Sequence, residues 1–460
     1  MTTEQQNERG PLTTPAAGKL RYPVIVELII LGGLALVLMI GLMMIGSLVS
    51  ERSHRAKEVR ADIASSWGQQ QTVGGPVLIV PFLVRYVDQF GKPQVVKERA
   101  RFLPERLQTT GQLHPTRRHR GIYDVVLYRA DLSVSAVFAQ PDFSRWNIPP
   151  QDVLWSEAVL TMGITDLRGI RGNPAFHWSG KALAVSGGTA DAKLWASGLS
   201  APVTLSATAP GTKYPFSVKL DLNGSENINF LPLGGETIVE VKSPWPDPSF
   251  AGAYLPETPA ISEKGFTSRW SISSVARSFP QQWRDTGEDH SGAITASAFG
   301  VGLFSPISHY QKTERSMKYG ALFIILTFLT FFLYELLSPV TLHPVQYFLV
   351  GGALCLFYLL LLSFSEHTPF GTAYAIASIG TIALISCYGI ALLRSAARVL
   401  GLTAVLAMLY GYLYVLLQLE DWALLMGSIG LFLILALVMY TTRRVDWAAA
   451  HVGRAKQVEA

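Results

Sequence analysis

What most constrains this chain is the order of its hydrophobic blocks. One long apolar run lies near the N-terminus, 269 mostly polar residues follow, and five apolar runs then come almost end to end. A helix needs about 20 apolar residues to cross the hydrocarbon core of a bilayer. The run at 24–49 meets that length, with Glu27 its only charge, and so do 319–337, 345–364, 371–393, 399–417 and 422–440. The expected architecture is an α+β membrane protein with six transmembrane helices, one N-terminal and five C-terminal. A large β-rich periplasmic domain, 50–318, is inserted between the first and second. The 24–49 run is too long for the apolar part of a signal peptide, and no small-residue cleavage site follows it, so it reads as an uncleaved anchor.

Orientation follows from basic residues in short connections. Arg9, Lys19 and Arg21 precede the first span, Arg394 and Arg398 lie beyond the fourth, and Arg443, Arg444, Arg454 and Lys456 follow the sixth. Six spans put these clusters on one side, the cytoplasm. The opposite short loops carry Glu366, Glu420 and Asp421 without Lys or Arg. Arg52, Arg55, Lys57, Lys312, Arg315 and Lys318 beside the large domain point the other way, but the flanks of a long translocated domain weigh less. The expected layout is thus a disordered cytoplasmic tail at 1–23, an anchor at 24–49, the periplasmic domain, a five-helix bundle at 319–440 and a cytoplasmic tail at 441–460.

Cys355 and Cys387 both fall inside expected spans, so the domain has no disulfide and must rely on its core. Small apolar packing is the expected role of both cysteines. The net charge of +5 forms no basic stripe away from the membrane flanks, which gives nucleic-acid binding no support.

Within the domain, 51–67 reads as a helix continuing outward, with Ala56, Val59, Ile63 and Trp67 on one face and Gly74-Gly75-Pro76 ending it. Short runs rich in Val, Ile, Leu, Tyr and Phe follow at 77–87, 122–139, 153–164, 202–208, 216–222, 237–241 and 266–275. Turn residues separate them, which is the pattern of an antiparallel sheet or sandwich, in one lobe or two. Pro81 points to an edge strand or bulge. Eight of the ten tryptophans lie here. Exposed, they would stack on sugars of cell-wall polymers; core filling is the favoured reading.

No catalytic or metal-ligating motif is present, and no cofactor is expected. One constellation stands out. Topology brings Glu366, His367, Glu420 and Asp421 to the same outer face in two very short loops. Ionisable groups at membrane depth are candidate functional sites: acids beside a histidine can relay protons, bind a cation or dock a basic patch. The bland alternative is a solvated loop. On the cytoplasmic side Glu335 and His343 form a secondary pair, able to meet across 338–344, although His343-Pro344 reads better as the entry to the next helix. Gly351-Gly352 permits close helix approach, and tyrosine hydroxyls recur along the spans. Clean, nearly charge-free spans weigh against a transporter.

Several strings also resemble the CreD family of bacterial inner-membrane proteins, also called cell-envelope integrity proteins. They include Thr313-Glu314-Arg315-Ser316-Met317-Lys318-Tyr319, His343-Pro344-Val345-Gln346-Tyr347, Ser365-Glu366-His367, Glu420-Asp421-Trp422-Ala423-Leu424-Leu425 and Thr442-Arg443-Arg444-Val445-Asp446-Trp447. Upstream, Gly75-Pro76-Val77-Leu78-Ile79-Val80-Pro81 and Phe279-Pro280-Gln281-Gln282-Trp283 fit as well. The resemblance implies control by a two-component system and a role in envelope integrity, colicin tolerance and β-lactam stress. It supplies no catalytic residues. The expectation is a non-enzymatic protein acting in the bilayer, with a periplasmic or membrane protein or cell-wall components as partner. The alternative is a membrane-embedded enzyme or small transporter working on envelope precursors through the outer-face acids and His367.

Overall fold

A computed structural model describes residues 24–206, 211–286, 288–303, 309–337, 342–393, 395–419 and 422–443. The two terminal tails, Arg394, Glu420 and Asp421 lie outside them. The chain divides into two compact units, His54–Pro306 and the remainder.

The helices are α1 (Val24–Trp67), α2 (Ser291–Ala296), α3 (His309–Lys318), α4 (Gly320–Leu337), α5 (Pro344–Ser365), α6 (Phe370–Leu393), α7 (Ala396–Gln418) and α8 (Ala423–Thr442). Five helices are long and apolar enough to cross a membrane: α1 and α5 to α8. The count becomes six if α3 and α4, bent by 45° at the break between them, make one span. The sequence places a full span at 319–337, whereas α4 is shorter than the others and the helix before it is polar. Leu31, Leu38 and Leu42, seven and four residues apart, form one buried seam of α1. They join Phe323, Phe328, Phe357, Tyr358, Tyr374, Leu402 and Tyr410 in an apolar core. A Cβ on Gly351 would fall 2.1 Å from Leu38 Cδ1, so this glycine sets how closely two helices approach, while Gly352 faces open space. Cys355 is buried, its Sγ 3.7 Å from the Leu38 carbonyl oxygen, and Cys387 is exposed.

In the other unit, α1 ends at Trp67 as the sequence suggests, but not because of Gly74-Gly75-Pro76. Gly68, with φ of 150°, ends the helix, and a Cβ there would meet the Asn223 carbonyl oxygen at 2.5 Å. Strand β1 (Gln71–Val87) then runs straight through the three residues, with a register shift between Gly74 and Val77. It is followed by β2 (Pro93–Phe102), β3 (Arg106–Arg120), β4 (Tyr123–Ala139) and β5 (Ala158–Ile164). The first nine-stranded sheet runs Ser249–Gly252, Phe299–Gly302, Asn227–Phe230, β1, β5, Gly198–Val203, Ser186–Gly187, with β2 on β1 and Gln282–Arg284 on β2. The second runs Ala260–Ser262, Gly265–Ser273, Glu236–Ser243, β3, β4, Lys213–Ser225, Phe176–Trp178, Lys181–Leu183, with Ile170–Arg171 on Lys213–Ser225.

Both sheets are largely antiparallel, with parallel pairings of β1 to Asn227–Phe230 and of β3 to Glu236–Ser243. Alternate residues of β3, β4 and Lys213–Ser225 are buried, the period of two that a half-covered strand requires. Pro81 sits beyond the last β1–β5 pair at Ile79–Val159, where its missing N–H breaks no ladder. The buried faces of the two sheets share one core, and each fully buried Leu or Phe in it contributes about 1.5–3 kcal/mol. Trp178, Trp245, Trp270 and Trp283 belong to that core, with Trp146, Trp155 and Trp195 packed against it. The tryptophans chiefly fill the domain.

Candidate functional site

At the end of α5 the last backbone carbonyls need partners, and Glu366 occupies the cap position. Its carboxylate accepts a hydrogen bond from the Tyr310 hydroxyl of α3 at 3.3 Å, and Arg52 Nε of α1 lies 4.0 Å away. The side chain is 12% exposed. One acid therefore ties three helices together at this end of the bundle.

The sequence of α3 explains how it sits there. Its residues are polar, yet Thr313 and Ser316 are fully buried, and Arg315 Nη2 donates to the Leu419 carbonyl oxygen at 3.2 Å. Leu419 caps the C-terminus of α7, where the helix dipole favours a cation. Lys312 Nζ stands 5.7 Å from the Phe370 ring at the start of α6. Arg52 and Arg315, which weigh against the expected orientation when charges are merely counted, are thus held at helix ends.

His367, next in the chain, is exposed, and its Nδ1 lies 3.2 Å from the Ser363 carbonyl oxygen of its own helix. Glu366 and His367 are engaged separately rather than with each other. Glu420 and Asp421 lie outside the described residues. Among the described residues no group of three His, Cys, Asp or Glu is placed to hold a metal ion.

At the other end of α5, Glu335 and His343 do not pair as the sequence permits. The Tyr347 hydroxyl donates to Glu335 Oε2 at 3.2 Å, and the carboxyl of Glu27, from the first turn of α1, is a further neighbour. His343 is the N-cap of α5: Nδ1 accepts from Val345 N at 3.3 Å, and the Gln346 side chain accepts from His343 N at 2.9 Å. That reciprocal box engages Nδ1 of the imidazole, and Pro344 takes the first helical position.

The β unit holds an ionic cluster that no sequence spacing signals. Arg101, 2% exposed, bonds through Nε to Asp191 and through Nη2 to Asp285 at 2.7 Å. Arg99 Nε reaches the second Asp285 oxygen at 3.2 Å. Burial alone would raise the Asp285 carboxyl; the bonds and charges of Arg101, then of Arg99, outweigh it and hold the group below the ordinary carboxylate value. The partners lie 90 and 184 residues from Arg101 and meet only through the fold.

Helices that suit a bilayer, divided after the first by a two-sheet β unit, define a multi-pass membrane protein with a substantial extramembrane domain. The chain belongs to the CreD family: the family described as Inner membrane protein CreD matches residues 23–448. The Inner membrane protein CreD of Escherichia coli (strain K12) is 32% identical over 440 residues, covering 95% of this chain and 96% of that protein. Among solved structures, an M1 zinc metallopeptidase from Deinococcus radiodurans bound to a Tyr-ser-ala substrate shares 12% identity, over 37% of this chain and 39% of that one, with a TM-score of 0.21. A further M1 zinc metallopeptidase structure from that organism shares 15% identity over 37% and 40%, with a TM-score of 0.18. Likenesses of that size carry no argument.

Proposed function

We propose that this inner-membrane protein supports the integrity of the bacterial cell envelope, including tolerance of β-lactams and colicins, by binding rather than by catalysis. The β unit is the binding part, it lies in the periplasm, and the helices anchor it with both termini in the cytoplasm. Its partner is a periplasmic or membrane protein or a component of the cell wall. Family membership supports the location in the inner membrane, and the basic residues at the chain ends support the orientation.

The observation that carries the non-catalytic reading is the engagement of Glu366. The one acid of the outer-face constellation whose surroundings are described is bonded to Tyr310 and set beside Arg52 at a helix cap, an arrangement that fastens helices. A general acid or base must reach a substrate proton instead.

Complementation of a strain lacking the gene, scored by envelope leakiness under β-lactam, tests this. Glu366→Gln and His367→Ala should protect as wild type does, and a chain lacking 71–303 should not, all at matched abundance in the membrane. Loss of protection by either point variant at normal abundance would return the function to the outer-face acids and histidine, and with it the enzyme or transporter reading.

A further inference from the structure

A groove of about 670 Å³ opens on the β unit between the short helical turn Ser144–Trp146 and the segment that leads into strand Gln282–Arg284. That is the size of a site for a ring-containing ligand, and more than one small ion fills. Its lining is basic: Arg145, Arg277 and Arg284 face a single acid, Glu288, which is exposed.

Arg277 is the unusual member. It is 9% exposed, and every partner of its guanidinium is neutral. Nη1 donates to the Pro232 carbonyl oxygen at 2.9 Å, Nη2 donates to Gln281 Oε1, and Cζ lies 4.6 Å from the centre of the Phe279 ring. Nε is buried with no partner at all. Burial pushes this group down to about 10, the mark of a cation without a counter-ion. Buried charges are normally paired, and nearly all buried polar atoms are bonded. Arg145 and Arg284 likewise have no carboxylate within ion-pair distance among the described residues. Asp142 lies near Arg145, but its Oδ1 accepts from Ser144 N at 2.8 Å. The apolar side of the groove comes from Trp146, half-buried, and from the buried Phe279 and Trp283. Guanidinium groups beside an indole match a molecule that presents a ring face and a carboxylate together.

We propose that this groove binds an acidic saccharide, its carboxylates held by Arg277, Arg145 and Arg284 and a sugar ring set against Trp146. The proposal rests on the reading of the β unit as the binding part of the protein, and it names the ligand class and the place.

The test uses the full chain in phospholipid nanodiscs, titrated calorimetrically with tetragalacturonate. Neutral chitotetraose, inorganic phosphate and an oligoglutamate serve as comparison probes. Tetragalacturonate should bind at least tenfold more tightly than any of the three. The double variant Arg145→Gln/Arg284→Gln, whose side chains are not buried, should weaken it at least tenfold with unchanged unfolding temperature, and Trp146→Ala should weaken it as well. Absence of binding, or binding that the double variant leaves within twofold, overturns the proposal. So does equal affinity for phosphate, which would make this a plain anion site, or for oligoglutamate, which would make it an acidic-peptide site. Envelope protection by the double variant is scored in parallel. If the saccharide fails to bind while the variant still loses protection, only the ligand class falls and the β unit remains the binding part.

Discussion

Arg101 is the cation paired with the buried Asp191, so its removal strands that carboxylate and leaves Asp285 with Arg99 alone. Arg101→Leu should lower the stability of the β unit by about 3–5 kcal/mol, far more than a surface ion pair is worth. Chemical denaturation followed by tryptophan fluorescence measures this; a change below about 1 kcal/mol would mean the cluster is relaxed in solution. The same groups give a pH dependence. Asp285 and Asp166 are both held below the ordinary carboxylate value of 3.8. At Asp166 burial again acts upward, and the Arg168 bond together with the Gln69 and Arg168 backbone N–H groups outweighs it. A depressed folded value favours the folded state above the unfolded pKa, and that advantage disappears as pH falls through the folded one. The denaturation midpoint should hold steady from pH 7 to about 5 and drop below about 4, with a shallower drop in Arg101→Leu. Little of this is visible in the sequence. Arg101 and Asp191 look like ordinary polar residues until two strands and a loop bring them together. His343 is legible, because a residue before proline at the head of an apolar run is a helix start in any context.

Single elements differ in how openly the sequence announces them. β4 and Lys213–Ser225 show apolar alternation over long stretches; the sequence places β4 within a residue of its limits, but only the middle of the other, 216–222. β2 and β3 escape notice because their outer positions carry Lys, Glu, Arg and Gln and their inner ones are as small as Thr109 and Gly111. The tip of the β1–β2 hairpin is a further case. In strand pairing, residues 84–96 meet only one another, and Tyr86, Val87, Phe90 and Val95 are 49, 68, 77 and 53% exposed. An isolated two-stranded ribbon is marginal in water. Amide hydrogen exchange in residues 84–96 should therefore run orders of magnitude faster than in residues 77–80 of β1; equal protection would show that something covers the ribbon. Among the helices, Gly351→Leu should lower the melting temperature of the bundle by several degrees, since the added side chain must displace Leu38 and Phe328, whereas Gly352→Leu should be nearly neutral. Helix α3 explains why a count of apolar blocks gives a simple span where the chain bends: its polar residues cap other helices, and no window average conveys that.

For the whole molecule, the order of apolar blocks is enough to infer membrane helices on both sides of a β-rich domain, because bilayer thickness and backbone hydrogen bonding leave few other solutions. The proposed site is not legible in the same way. Residues that chemistry would single out, Glu366 and His343, hold helix ends, while Arg277 and its groove come from segments more than a hundred residues apart. The central claim is that the β unit, and not the outer-face acids, makes the contact that matters. Photo-crosslinking in living cells tests it most directly, with a photoreactive residue placed singly at Ser278 in the groove, at Phe90 on the ribbon, or at His367. The account predicts a saturable adduct from Ser278 and none from His367. An adduct from His367, with none from either position on the β unit, would contradict it.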